Sequence, residues 1–568
     1  MENGADLSSP GVREAERAPP FPWKMKEWLG RHREAAVLVA PMAVYVPLAI
    51  ILGIRHKENL LGDAVCYVRR ALYLSQGEFY YSISGYWSPL ISWCMTPLVY
   101  FGMDGLYAAR VVLCVWGALF IVVAGFLLRA MTTWDAWWRL GVMVVVALGT
   151  ASVAAGHVTP DILMATGLVA YLAAIMSADL MERRGAQWLV GVLGGVAYLG
   201  KAYALPFVVV HLPVTLALRG WVMWRGGNGP TAEARAFGAV CRRVFNAYGM
   251  AMLGLAVTAG VWVGVLSWRY GRFTFSTAGA RAHAVVGPYR PAREIPVLTP
   301  PEGPYLVGWE NPETLRYKFW SPFENRRCFN RQLYVIGKNA REMRQTIGGL
   351  AFGYLAWVGI ALCPLALFGL VGRGQRWKVL WLVGTMAVYC SGFVPVFYSP
   401  RYIVDVMFVL TLVLCMALAM GFGGSRLGEA RAVAACVVLA LFAAGGIRQM
   451  VVMFNTSRPG VYRQLAQEIR RMGLKGPMVS TDLYKGYCLS LQLGEKMLWF
   501  PPGTDADLAE QRIREHKAGV MVVWRERKGQ VGMVNEAAKV AEHLQWKRVL
   551  AWKRGGVEVL APATQPAR

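Results

Sequence analysis

Apolar residues in this chain gather into long runs separated by short polar segments. AAVLVAPMAVYVPLAIILGI near the N-terminus and YIVDVMFVLTLVLCMALAMGF late in the chain each reach the ~20 residues needed to cross ~30 Å of hydrocarbon. Runs of this kind predict about eleven membrane spans, at roughly 36–54, 107–130, 138–156, 160–181, 187–200, 204–218, 246–267, 348–372, 379–397, 401–423 and 430–451. The first run follows a polar leader and ends on Arg55, His56 and Lys57 rather than on small residues, so it reads as an anchor and not as a removable signal.

The polar connections alternate in charge. Lys24, Lys26, Arg31 and Arg33 precede the first span, and Arg183/Arg184, Arg219/Arg225/Arg242/Arg243, Arg373/Arg376/Lys378 and Arg426/Arg431 fall in every second connection. The positive-inside rule makes these connections cytoplasmic. The chain then divides into a cytoplasmic tail (1–35), a transmembrane domain (36–451) and an extracytoplasmic tail (452–568). Loops 55–106 and 268–347, and tight turns near His157, Lys201 and Pro400, share the tail's side of the membrane.

Beyond residue 452 the pattern changes. An amphipathic stretch VYRQLAQEIRRMGL leads into short apolar runs PMVST, KMLWF and GVMVVW and then a second helical stretch NEAAKVAEHLQ, the alternation of a small α/β domain. The loop 268–347 is rich in Pro, Gly and aromatics without obvious periodicity. Its length points to function or disorder and its aromatic content to order, with Trp309, Trp320 and Phe323 packing on the membrane surface or over a cleft.

Composition narrows the class. Hydrophobic residues make up 56% and charged residues 17%, a balance that excludes an ordinary soluble fold. The net charge of +26 is scattered over many short connections rather than gathered on one face, which argues against nucleic-acid binding. Of ten cysteines, Cys114, Cys363, Cys390, Cys415 and Cys436 fall in apolar runs as small buried hydrophobes; Cys66 and Cys94 share one loop, either bridged or free, and no zinc-type spacing occurs.

Ionisable residues at a membrane boundary are costly to place and so are functional candidates. Asp63 opens a short helix in which Tyr67, Ala71 and Leu74 recur at helical spacing and Gly77 ends the pattern; it is either catalytic or a helix-end charge. Asp161 follows Pro160 in the first turn of the fourth span, on the same side. Two such carboxylates can share base, substrate-hydroxyl or divalent-metal work. Lys201, alone between two apolar stretches, and Arg401 suit a lipid phosphate, although a boundary lysine often merely snorkels. His157 is a weak metal-ligand candidate, and Asp405, inside the tenth span, is expected to pair with a neighbouring helix.

The motifs resemble those of the GT-C membrane glycosyltransferases, in particular the bacterial relatives of protein mannosyltransferases and aminoarabinose transferases. GDAVCYVRRALYLSQGEFY, then YWSPLISWCMTPLVYFG and YAARVV, follow that family's acid-bearing first loop, and TPDILMA, LGKAYALP and SPRYIVDV fall where it carries its second acid, its Lys–Pro element and its Arg-Tyr helix. The resemblance covers roughly residues 36–420. It implies a sugar transferase fed by a polyprenyl-phosphate donor and acting on a lipid, glycan or protein acceptor at the extracytoplasmic face of a bacterial cytoplasmic membrane. Asp63 would be the base, Asp161 a supporting acid near the acceptor or a divalent metal, and Lys201 and Arg401 the holders of the donor phosphate. Tyr67, Trp87 and Trp320 would line the substrate cleft. The chain differs from many relatives in carrying Ala64 after Asp63, and Trp87-Ser88-Pro89 where they have His-Pro-Pro. The rival readings are a transporter or flippase of lipid-linked glycans, which calls for charges buried mid-span and an internal repeat, and a non-catalytic cell-envelope assembly factor.

Overall fold

The computed structural model describes residues 33–226, 237–351, 355–362, 375–421, 428–456, 460–525, 531–552 and 556–562. Helix α1 (Arg33–Arg55) leads into two shorter helices, α2 (Gly62–Ser75) and α3 (Leu90–Tyr100). Then follow α4 (Gly105–Met131), α5 (Ala136–Gly156), α6 (Asp161–Ile175), α7 (Arg184–Gly200), α8 (Ala204–Gly226) and α9 (Phe237–Tyr270). After the long loop come α10 (Arg326–Gly348), α11 (Arg376–Ser391), α12 (Val404–Met420) and α13 (Glu429–Thr456). Among the described residues six helices are long and apolar enough to cross a membrane, with α3, α6 and α12 shorter apolar helices beside them. The chain is a multi-pass membrane protein. About half of the expected span 348–372 lies outside the described residues, and the described part includes the helix Leu355–Ala361; most of the N-terminal tail also lies outside.

Helix ends follow from local chemistry. Asp104 and Asp135 cap α4 and α5 by accepting from backbone N–H groups of Leu106 and Trp137, and Gly77, at φ +79°, supplies the left-handed conformation that stops α2. Within the bundle α7 packs on α9, α5 on α1 and α13, and α6 on both α4 and α7. A Cβ on Gly191 would come within 1.8 Å of the Ala251 carbonyl oxygen, so α7 and α9 approach as closely as they do only because small residues face each other.

The long loop is ordered but less irregular than its sequence suggests. Its last third is α10, whose buried positions Cys328, Gln332, Val335, Asn339, Met343 and Ile347 recur at helical spacing. Two of these are amides: Gln332 donates to the Pro395 carbonyl and Asn339 to that of Val394, which fastens α10 to the turn between α11 and α12. Polar residues on the buried stripe hide the helix from a hydrophobic pattern.

The C-terminal domain is a five-stranded sheet in the order β4-β3-β5-β7-β6, with a short hairpin of β1 (Arg293–Glu294) and β2 (Arg316–Tyr317) preceding it in the chain. Strand β3 (Met478–Ser480) runs parallel to β4 (Met497–Trp499) and β5 (Val520–Trp524), the three expected apolar runs. The antiparallel strands β6 (Trp546–Trp552) and β7 (Val557–Pro562) complete it. Helix α14 (Val461–Arg471) leads into β3, and α15 (Leu483–Leu493), α16 (Ala506–Glu515) and α17 (Val531–His543) connect the strands that follow. Helix α15 packs on α2, which brings this domain down onto the residues around Asp63.

Candidate active site

Asp63 stands in the first turn of α2 and Asp161 in the first turn of α6, so each carboxylate meets the positive end of a helix. Arg401 lies in a 3₁₀ turn, Pro400–Tyr402, immediately before α12, and Lys201 in the turn between α7 and α8. Folding draws the four into one row. The Arg401 guanidinium donates to Asp63 Oδ2 at 2.6 Å and places its Nε 3.7 Å from Asp161 Oδ2. Lys201 Nζ donates to Asp161 Oδ1 and lies 3.4 Å from the centre of the Tyr402 ring. Two acids and two bases alternate, so a buried carboxylate with only 4% of its surface exposed, Asp161, is neutralised from both sides.

The row is not saturated. Asp161 Oδ2 and Arg401 Nε are both buried without a hydrogen-bond partner, because 3.7 Å is an ion-pair distance and too long for a hydrogen bond. Burial opposes charge on Arg401, but Asp161 and Asp63 outweigh it and hold its pKa above the usual range. For Lys201 burial prevails over the attraction of Asp161, and its pKa is lowered.

Asp161 and Arg401 also line a cavity of about 640 Å³ between α4, α5, α12 and α13. Its lining mixes polar side chains, among them His157, Thr159, Arg448 and Gln449, with apolar ones, among them Leu113, Phe120, Phe408 and Leu350. Arg448 is exposed on α13 and makes no hydrogen bond or ion pair with the described residues. An arginine inside the apolar run of the last span is the signal by which it could have been singled out, and the sequence reading passed over it. Asp405, expected to pair with a neighbouring helix, instead lines this cavity with its Oδ2 unpartnered; no ion pair to it forms among the described residues.

On the far side of Arg401, Asp63 meets aromatic residues. Trp309 Nε1 donates to Asp63 Oδ1 at 3.2 Å, and Trp309, Tyr86 and Trp87 pack edge to face with ring centres 4.7–5.6 Å apart. Tyr67, one turn beyond Asp63, lies edge-on to Trp87 at 5.2 Å; burial first, and then the charges of Asp63 and Asp161, raise its pKa. Trp320 is held elsewhere: it stacks on His283 at 4.3 Å and donates to the His283 carbonyl, so the loop tryptophan that reaches Asp63 is Trp309. Cys66 and Cys94 are both free thiols, the former directed at the Trp309 carbonyl. His157 is exposed at the end of α5, and no group of three or more His, Cys, Asp or Glu suited to a metal occurs among the described residues.

No protein-family model matches the chain, and no curated protein matches it by sequence. Its structure is similar to that of ArnT from Cupriavidus metallidurans bound to undecaprenyl phosphate, with a TM-score of 0.54 and 16% identity over 92% of this chain and 98% of that one. The apo state of the same protein matches with a TM-score of 0.52 and 15% identity over 95% and 98%. At such identity the likeness is one of architecture, and the chain has the GT-C membrane fold that the order of its motifs implies.

Proposed function

We propose that this protein is a glycosyltransferase that moves a sugar from a polyprenyl-phosphate donor to a hydroxyl or amine of a lipid, glycan or protein acceptor at the extracytoplasmic face of a bacterial cytoplasmic membrane. The observation that carries the reading is a guanidinium shared by two carboxylates on the wall of a cavity lined by both polar and apolar side chains. The fold supports it, since the ArnT structure of that fold is bound to undecaprenyl phosphate. The alternation of basic connections supports the orientation.

The donor phosphate takes up guanidinium N–H groups of Arg401 that Asp63 leaves unused and the charge of Lys201, with its polyprenyl chain along the apolar side chains of the cavity. A phosphate on Arg401 competes with Asp63 for the guanidinium and frees that carboxylate. Asp63 then accepts the acceptor's proton as its oxygen or nitrogen attacks the anomeric carbon. The bond from that carbon to the phosphate oxygen breaks with its electron pair on the leaving polyprenyl phosphate. Asp161 keeps Lys201 and Arg401 in place. One displacement without a covalent intermediate inverts the anomeric configuration. The two acids are already neutralised by the protein's own cations, a donor set that fits a phosphate better than a divalent ion, and no step is assigned to a metal.

The test is transfer of radiolabel from polyprenyl-phosphate sugars to a membrane extract by the purified protein, beside Asp63→Asn. Loss of a general base lowers kcat by about 10²–10⁴-fold with donor binding retained. Equal transfer by the variant removes Asp63 from the mechanism. Movement of a lipid-linked glycan across vesicles without any transfer replaces the reading with a flippase.

A further inference from the structure

The C-terminal domain reaches the site through α15, which packs on α2. Its helix α15 sets Tyr484 and Tyr487 over Gly62, the residue before Asp63, so closely that a Cβ there would lie 3.3 and 3.4 Å from their rings. Beside this contact the Tyr484 hydroxyl accepts from Arg293 at 3.3 Å, and the Arg293 guanidinium lies 4.4 Å from the centre of the Trp309 ring. The same indole donates to Asp63.

The backbone that carries Trp309 is fixed separately. Glu310, fully buried, accepts from the Leu306 amide at 2.7 Å and from the Tyr73 hydroxyl at 2.7 Å, while Arg70 donates to its carbonyl. The preceding segment joins the edge of the C-terminal sheet: the Leu298 amide donates to the Trp499 carbonyl and the Met497 amide to that of Leu306, each at 2.9 Å. Leu298 is buried in the domain's own core. These contacts settle where residue 309 is, and its ring is held by Tyr86 and Trp87 at its edges and by Arg293. The direction of the indole N–H depends on all three neighbours, and Arg293 is the one of them that the C-terminal domain holds, through Tyr484.

We infer that the C-terminal domain is part of the active site, with Tyr484 and Arg293 acting as positioning residues that aim the Trp309 N–H at Asp63. The inference rests on the reading of Asp63 as the base. Trp309 holds one oxygen of the carboxylate and Arg401 the other, so when a donor phosphate draws Arg401 away the indole keeps Asp63 in the orientation from which it takes the proton. The domain thereby sets the geometry of the base without touching the donor.

The experiment compares Arg293→Lys, Tyr484→Phe, Trp309→Phe and the double variant Arg293→Lys/Trp309→Phe in the full-length protein. Trp309→Phe keeps a ring and loses the N–H. Arg293→Lys keeps the charge and loses the planar stack. Each single variant is expected to lower kcat, Arg293→Lys and Trp309→Phe by about tenfold, with KM for the donor within about twofold. Because Arg293 acts through Trp309, adding Arg293→Lys to Trp309→Phe costs less than about twofold more. Costs that multiply in the double variant, or a change in KM alone, overturn the inference. Exchange of the Trp309 indole N–H, followed by NMR of the protein labelled with 15N-tryptophan, reads the clamp without any activity. Faster exchange of that N–H in Tyr484→Phe and Arg293→Lys supports it, and unchanged exchange overturns it. A wild-type protein that transfers no sugar but shows this exchange response would sink the proposed reaction and leave the clamp standing.

Discussion

On the cavity side of Arg401, Asp161 and Lys201 hang from helix ends 40 residues apart in a continuous stretch of bundle, and the carboxylate is almost wholly buried. On the other side, Asp63 has 28% of its side chain exposed and meets Trp309 across 246 residues of sequence, from a loop held by a separate domain. Arg401 itself reaches Asp63 across 338 residues. One half is thus set by the ends of helices within the bundle, and the other is assembled from loop and domain around it. On the proposed reading a lipid-borne donor needs a fixed slot within the bundle, while a lipid, glycan or protein acceptor needs a wall that loops can build.

The largest test of that division falls on the residue common to both halves. Arg401→Lys retains a positive charge, but one ammonium cannot serve Asp63 and Asp161 as the planar fork does. Sugar transfer, read as kcat/KM, is expected to fall by about 100-fold while Asp63 and Asp161 remain unaltered. Activity near wild type in a variant of normal thermal stability would make the guanidinium a structural pairing only, and would dissolve the comparison.

A smaller effect separates the halves. Gly156, at the end of α5, lines the cavity, and the nearest atom to a Cβ placed on it is Met453 Cε at 3.8 Å, so a larger side chain there grows into open space. Gly156→Leu is expected to raise KM for a polyprenyl-phosphate donor by about tenfold, with kcat within about twofold. An unchanged KM would place the donor somewhere other than this cavity.

The two halves also differed in how far the sequence reveals them. Spans are written as apolar runs, so α1, α4, α5 and α9 fall where hydropathy puts them, and Asp161, Lys201 and Arg401 are visible as charges at the ends of such runs. The pairing of Arg401 with both acids is not visible, because it depends on how the helices close on one another. Trp309 is one aromatic among several in a loop with no period, and only the fold distinguishes it from Trp320. Helix α10 was hidden by Gln332 and Asn339 on its buried stripe. Strand β6 was hidden for a related reason: its burial pattern is mostly exposed, with Lys547, Arg548 and Val549 open to solvent, and it gives no buried alternation to read.

The smallest effect concerns charge rather than contact. Burial lowers the Lys201 pKa in spite of Asp161, and an ammonium is charged below its pKa and neutral above it. As pH rises, Lys201 therefore loses its charge earlier than a free lysine does, whereas Arg401, with its pKa raised, keeps its own. On the alkaline side the donor half should weaken first: KM for the donor climbs while kcat at saturating donor holds. Lys201→Arg replaces the titrating group by one that stays protonated, so the rise in KM should move to higher pH, with the rate at neutral pH changed by only about twofold. The profile of KM against pH for wild type and variant decides it. An alkaline limb that stays in place would show that some other group titrates there, and would leave Lys201 as a neutralising partner of Asp161 alone.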